Sequence, residues 1–409
     1  MLTCHWHHAR FDLASGGTLN PFADDVKTFP VVLDGSEVSV ESVADDDDWA
    51  ARGLARLQRG LETQLPLVLA KSTLALLGRG LDIREVLRLV ARFGARYRAA
   101  GWGTGLTTLT AMANVLPILD TEERTLALFH GALRVDEDCA GRAPRFGLAP
   151  LPARSVSPAR LGAWFREAVE VRDEDAAERA LATAIDGGMS ERAVADMLFA
   201  ATTDHYFIDG GHTLDFVGRA FELLEHLGWS EAPAILPTLV RGLCRATRSE
   251  ELGAWGHPLD LHALLMPALE RLPTIVGVQP PRGERLSNAN FDDLVATLLG
   301  EAPDVSVRAL TDALTARVAL VELGQAVAHA AALRIPRFPT ANDFGDWEAV
   351  HNTFTSCHAL HQALGRAPSR ELARARSSRW PDSPLHTRPR RAPSSRPIES
   401  RSGSSGERT

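Results

Sequence analysis

Lysine is nearly missing from this 409-residue chain. Of its 44 basic residues only Lys27 and Lys71 are lysine, and all the others are arginine. With abundant alanine, glycine and proline, that bias points to a GC-rich coding sequence and says little about chemistry. Cysteine is scarce as well. Cys4, Cys139, Cys244 and Cys357 are far apart and unpatterned, which excludes a disulfide framework and suits a reducing cytoplasm. No apolar run reaches the roughly 18 residues of a membrane span. The N-terminus has no basic region followed by an apolar stretch, so no signal peptide is read, and the expected location is cytoplasmic, away from membranes. No Ser-His-Asp pattern is present. Gly101–Gly105 follows a helical pattern and not a strand, which makes it a weak nucleotide signal.

What remains is an ordinary soluble balance, 45% hydrophobic and 23% charged, with a net charge of −8. The length allows two or three domains, or one large helical domain. A body of about 330 residues can bury roughly 75% of its unfolded surface.

Most of that body has helical periodicity. Leu54, Leu57, Leu61, Leu65, Val68 and Leu69 recur at three and four, with Arg52, Arg56 and Arg59 between them. Similar stripes cover Ile83–Tyr97, Thr121–Leu133, Leu161–Val171, Ala176–Ile185, Glu191–Ala201, Thr213–Leu227, Ala234–Leu243, Leu259–Leu272, Phe291–Leu299 and Val305–Leu333. Thr121 and Ser190, each before glutamate, read as N-caps with acidic first turns. Gly187-Gly188 and Gly228 read as helix ends. No repeat period emerges, so the expectation is a mainly α, irregular helical bundle over residues 50–375.

The first 43 residues read differently. Cys4-His5-Trp6-His7 is followed by Arg10-Phe11-Asp12-Leu13 and then Gly16-Gly17. Ala9–Leu13 reads as a strand, Ala14–Asn20 as a glycine turn, and the apolar runs Val26–Leu33 and Val38–Val40 as a hairpin split by Asp34-Gly35. This pattern resembles the second ligand loop and closing end of a Rieske iron–sulfur domain. The resemblance implies a small all-β segment, with Cys4 and His7 as metal and cofactor ligands of a [2Fe–2S] cluster. In that family each iron takes two like ligands, two Cys on one and two His on the other. The resemblance therefore also implies that this chain supplies two of four ligands. On this reading the chain is a truncated Rieske-type electron-transfer protein, short of a working cluster and joined to an oxidoreductase or oxygenase-like helical domain. A redox partner protein or a small-molecule substrate would serve it. The alternative is a non-redox helical ligand-binding domain, or a metal-independent enzyme, that carries a Rieske remnant.

Within the helical body the densest polar cluster is Thr203-Asp204-His205-Tyr206 with Asp209-Gly210-Gly211-His212. Two histidines and one carboxylate form the ligand set of many non-heme iron oxygenases. The catalytic candidates are therefore Asp204, His205 and His212, with His130 (near Asp136 and Asp138) or His351, around a mononuclear iron. The opposing reading is helix caps and hydrogen-bonded polar groups at a Gly-Gly turn. Cys139, Cys244 and Cys357 lie on apolar stripes and read as buried small hydrophobes.

Two segments flank these regions. Asp45-Asp46-Asp47-Asp48 repels itself and reads as an acidic linker over 44–49. In residues 376–409, 22 of 34 positions are Arg, Ser or Pro, a composition that cannot build a core. A basic tail for nucleic acid and off-frame translation are the two explanations. The second is preferred, so no nucleic-acid partner is expected. Helix Trp347–Leu364, just before this tail, has no evident packing companion in the sequence.

Overall fold

In the computed structural model the described residues are 1–20, 23, 25–40, 49–152, 156–205, 207–252, 259–276, 283–369 and 372. The acidic linker run 45–48 and the Arg/Ser/Pro-rich tail 376–409 lie outside them.

The helical stripes become helices α1 (Trp49–Glu62), α2 (Pro66–Gly78), α3 (Ile83–Arg96), α4 (Thr104–Val115) and α5 (Thr121–Cys139). These are followed by α6 (Pro158–Glu170), α7 (Glu174–Asp186), α8 (Glu191–Ala201), α9 (His212–Leu227), α10 (Ala232–Ile235) and α11 (Thr238–Arg245). The series closes with α12 (Leu261–Val276), α13 (Asn288–Leu298), α14 (Pro303–Thr315), α15 (Leu320–Arg334) and α16 (Phe344–Arg366). The fold is an irregular, mainly α bundle.

Local chemistry sets the boundaries. The Ser190 hydroxyl accepts from the Ala193 N–H and caps α8, as its position before Glu191 predicts. At α5 the cap is Asp120 and not Thr121. Asp120 accepts from the Glu123 N–H while the Glu123 carboxylate accepts from the Asp120 N–H, a reciprocal capping box. Two long stripes are divided. Pro237 separates α10 from α11, since proline lacks the N–H that a continuous helix needs. Arg317 turns left-handed at φ +60° and ends α14.

One large core joins these helices, with Phe165, Phe199 and Phe221 fully enclosed. The rings of Phe199 (α8) and Phe221 (α9) meet at 5.6 Å. Helix α16 does have companions: it packs against α15 and α9. Ionic clamps tie distant segments. Glu231, between α9 and α10, is buried and held by Arg92 through two 2.8 Å hydrogen bonds, with Arg88 at 3.3 Å. No described helix is long and apolar enough to cross a membrane.

The N-terminal segment departs from the Rieske expectation. It holds two separate two-stranded antiparallel sheets, β1 (Leu2–Thr3) with β2 (Arg10–Phe11), and β3 (Val31–Asp34) with β4 (Glu37–Val40). Among the described residues there is no closed β-sheet. The physical reason is visible in the second hairpin. Val31, Leu33, Val38 and Val40 share one face by register, and all four are more than half exposed. Among the described residues no second layer covers them, and no β core forms there. The hairpin forms, but its loop is Gly35-Ser36, one residue later than Asp34-Gly35. Gly35 takes φ +59° at the first loop position, where such loops require a positive φ. The Arg10–Phe11 strand is paired, to Leu2–Thr3, and Phe11 also bridges to Thr18.

Candidate functional site

Cys4 and His7 sit in one tight turn, closed by hydrogen bonds from Cys4 N–H to the Ala9 carbonyl and from His8 N–H to the Cys4 carbonyl, both 2.8 Å. Backbone N–H groups of His7 and Trp6 lower the Cys4 thiol from its ordinary value. This is the local chemistry of a turn and not of a cluster. Among the described residues, no three or more His, Cys, Asp and Glu side chains gather where they could hold a metal. The [2Fe–2S] assignment, the mononuclear iron and the electron-transfer and oxidoreductase reading built on them are therefore overturned. Cys139 and Cys244 are buried, and burial pushes both thiols up to about 12, the behaviour of inert core residues.

The helical candidates disperse in the same way. His130 lies exposed on α5 beside Phe129. His212 opens α9 and stacks on Phe216, while His351 lies on α16 against Trp347. His205 and His212 do not share a helix. Helix α8 ends at Ala201, and Phe207, Asp209, Gly210 and Gly211 all take positive φ before α9 begins. Two candidates do come together. Arg166 grips the Asp204 carboxylate with two nitrogens, and His205 Nε2 lies 2.8 Å from Glu170 Oε2.

Both pairs reach back to α6, and that helix forms one wall of an open groove. Helices α6 and α8 bury one face each: Leu161, Phe165, Ala168 and Val169 from α6, and Val194, Ala195, Leu198 and Phe199 from α8. Beside that buried stripe the two helices carry small side chains at helical spacing, Ala159, Gly162 and Ala163 on α6, and Ala193 and Ala200 on α8. A β-carbon added at Gly162 would meet only Met197 Cγ, at 4.0 Å. The helices cannot fill the space between these positions, and a groove of about 390 Å³ results, completed by Met189, Met197, Arg166 and Asp196. It continues past Ala163 and Arg166 into a more open trough lined by Glu167, Glu170, Asp204 and His205.

The polar groups of the trough answer one another. Arg248, almost fully buried, donates to the Glu170 carbonyl at 2.9 Å and the Val169 carbonyl at 3.1 Å, and pairs with the Glu170 carboxylate at 3.2 Å. A cation placed there satisfies the carbonyls at the C-terminus of α6. Asp196 is different: the residue lines the groove partly buried, and its Oδ1 is closed off beneath the wall with no hydrogen-bond partner among the described residues.

A second polar cluster, between α9 and α16, is internally matched. Arg219 pairs with Asp215 at 3.4 Å and Glu222 at 2.7 Å, and Asn114 donates to Glu222 at 2.7 Å. Burial raises Asp215 and lowers His358 there.

Reasoning from sequence selected Asp204 and His205 but missed Arg166, Glu170 and Asp196. The signal that could have found the groove is the row of small residues at spacings of three and four in both helices. No protein family, curated protein or solved structure matches this chain.

Proposed function

We propose that this chain is a non-redox helical protein that binds a small organic ligand in the groove between α6 and α8. The observation that carries the reading is the groove itself, walled by alanine and glycine positions with Met189 and Met197 and bordered by the charged groups of Arg166 and Asp196. The volume of about 390 Å³ falls within the range of roughly 300–1,000 Å³ typical of small-molecule sites, which are mostly apolar with a few placed polar groups. Methionine adapts to irregular apolar shapes.

Ala163 is exposed at the junction of groove and trough, so Ala163→Phe fills the groove without entering the core. A screen of small organic molecules by thermal shift supplies the test. Ligands that raise the melting temperature of the wild type are expected to lose that effect on Ala163→Phe. The unliganded variant should melt within about 2 °C of the wild type, as exposed substitutions usually do. Ligands that stabilise both proteins equally would place binding elsewhere and overturn the proposal.

A further inference from the structure

We infer that this chain self-associates through the outer face of α16, with two copies packing their α16 helices antiparallel about a two-fold axis. The inference is independent of the α6–α8 groove.

Helix α16 carries two stripes. Val350, Cys357, Leu360 and Leu364 are buried toward the bundle, where α15 and α9 flank the helix. On the other side stand Phe344, Trp347, His351, Phe354, His358 and His361, spaced 3, 4, 3, 4 and 3 residues apart. That alternation keeps one line of side chains facing the same way and is the spacing of a seam between two helices. A surface helix ordinarily turns charged residues to solvent. This line has six rings and no Asp, Glu, Lys or Arg. Phe344 is 85% exposed and His351 is exposed, while the other four are partly buried at the flanks. The rings meet along the helix, Trp347 with His351 at 5.7 Å and Phe354 with His358 at 6.1 Å between centroids. Aromatic enrichment with depletion of charge is the composition of an interface core.

Two features identify the occupant as a second copy. The first is the order of the rings. With a two-fold axis between His351 and Phe354, Phe344 meets His361 of the second copy, Trp347 meets His358, and Phe354 meets His351. Each hydrocarbon ring therefore faces an imidazole, and the stripe is its own complement. The second is charge. Both carboxylates of α16, Asp346 and Glu348, lie in its first five residues, and its one arginine, Arg366, is the last, tied to Glu225 of α9. Parallel pairing would bring the acidic ends together. Antiparallel pairing parts them, opposes the helix dipoles, and sets Glu348 beside Gln362 of the second copy. From Phe344 to His361 the seam runs about 26 Å at 1.5 Å per residue. Such a contact belongs to the small interfaces, under about 1,200 Å² in total, so the dimer forms and dissociates with concentration.

The test is sedimentation velocity on the full chain from about 1 to 300 μM. The wild type is expected to move from its monomer mass of 44.3 kDa toward twice that value. His351→Glu sets two carboxylates beside each other near the two-fold axis and should stay monomeric throughout. Its circular dichroism should be unchanged, because His351 is exposed. Phe344→Ala should loosen the dimer at least tenfold, as loss of an aromatic anchor does. Gln362→Lys should tighten it by about two- to fivefold, the strength of an exposed ion pair, here with Glu348 of the second copy. Loosening by Gln362→Lys would mean parallel helices and would overturn the antiparallel seam. A wild type that stays monomeric, or a dimer indifferent to both His351→Glu and Phe344→Ala, would overturn the proposal. Growth beyond a dimer would do the same, since a two-fold seam closes on itself. The concentration series is read on the wild type alone, so a variant that fails to fold does not remove it.

Discussion

Asp136→Asn is expected to raise the unfolding free energy by about 2 kcal/mol at pH 8 and by no more than about 0.5 kcal/mol at pH 4. Asp136 lies on α5 with its residue 4% exposed, and its Oδ1 has no hydrogen-bond partner among the described residues. Burial, with a smaller push from neighbouring Glu137, raises its carboxyl from the ordinary 3.8 to about 6. The sign follows from proton counting. Below about pH 3 both folded and unfolded chains hold the proton, and the group is neutral in each. As the pH rises from about 4 to 6 the unfolded state releases it first, so the folded state holds more protons and stability falls. Above about 6 the full cost of a buried charge is present, roughly 3 kcal/mol at 1.36 kcal/mol per unit. Asparagine removes the charge but keeps a polar group to satisfy, which trims the gain. Urea unfolding of both proteins at five pH values reads the difference, and contributions from every other carboxylate cancel in it. An equal gain at pH 4 and pH 8 would refute the assignment. Asp138, two residues on, is the internal contrast. Its carboxylate takes Arg98 Nε at 3.0 Å and the Gly105 N–H at 3.0 Å.

Gly101→Ala is expected to cost about 3 kcal/mol or more, among the larger losses a single substitution produces. Gly101 has φ +86°, and a β-carbon there would stand 2.1 Å from the Thr238 carbonyl oxygen. That oxygen cannot yield cheaply, because it already accepts the Trp102 N–H at 2.7 Å. The loop cannot retreat either. Arg98 donates to the carbonyls of Gly101 and Trp102 at 2.8 and 3.0 Å, while Asp138 holds Arg98. The strained φ and the overlap therefore add. Thermal unfolding measures the result, and a loss below about 1 kcal/mol would show that the loop relaxes. Gly101 thus docks the turn onto α11, a packing need that accounts for its being glycine.

Much of the helical body was legible because periodicity and capping are local. Helix α8 runs Glu191–Ala201 as its stripe and its Ser190 cap predict. The groove was not legible, because it depends on which faces of two separate helices meet. Nothing near Asp196 in sequence shows that its oxygen lacks a donor. The Arg166–Asp204 and His205–Glu170 pairs span 38 and 35 residues, beyond any local pattern. The N-terminal reading failed for a complementary reason. A Cys-x-x-His turn followed by a glycine turn and a hairpin is locally realisable, and each piece forms. A metal centre also needs ligands from elsewhere, and a β domain needs a second layer over Val31, Leu33, Val38 and Val40. Motif spacing reports neither.

The described ties between the N-terminal segment and the helices are polar: Arg56 with Asp25, Arg59 with Asp12, and Lys71 Nζ with the carbonyls of Asn20 and Ala23 at 3.2 and 2.8 Å. Partly exposed ion pairs contribute about 0.2–1 kcal/mol each and are screened beyond a Debye length of about 8–10 Å at ordinary salt. Ties of this kind are the sort that give way in a sub-global opening before the helices do. Amide protons in β3–β4 are expected to exchange through a sub-global opening that raised ionic strength promotes, and those of α8 and α9 to wait for global unfolding. Hydrogen exchange at low and high salt is the check: the expected result is faster exchange in β3–β4 at high salt with α8 and α9 unchanged, so that salt acts as a selective key to one part of the molecule.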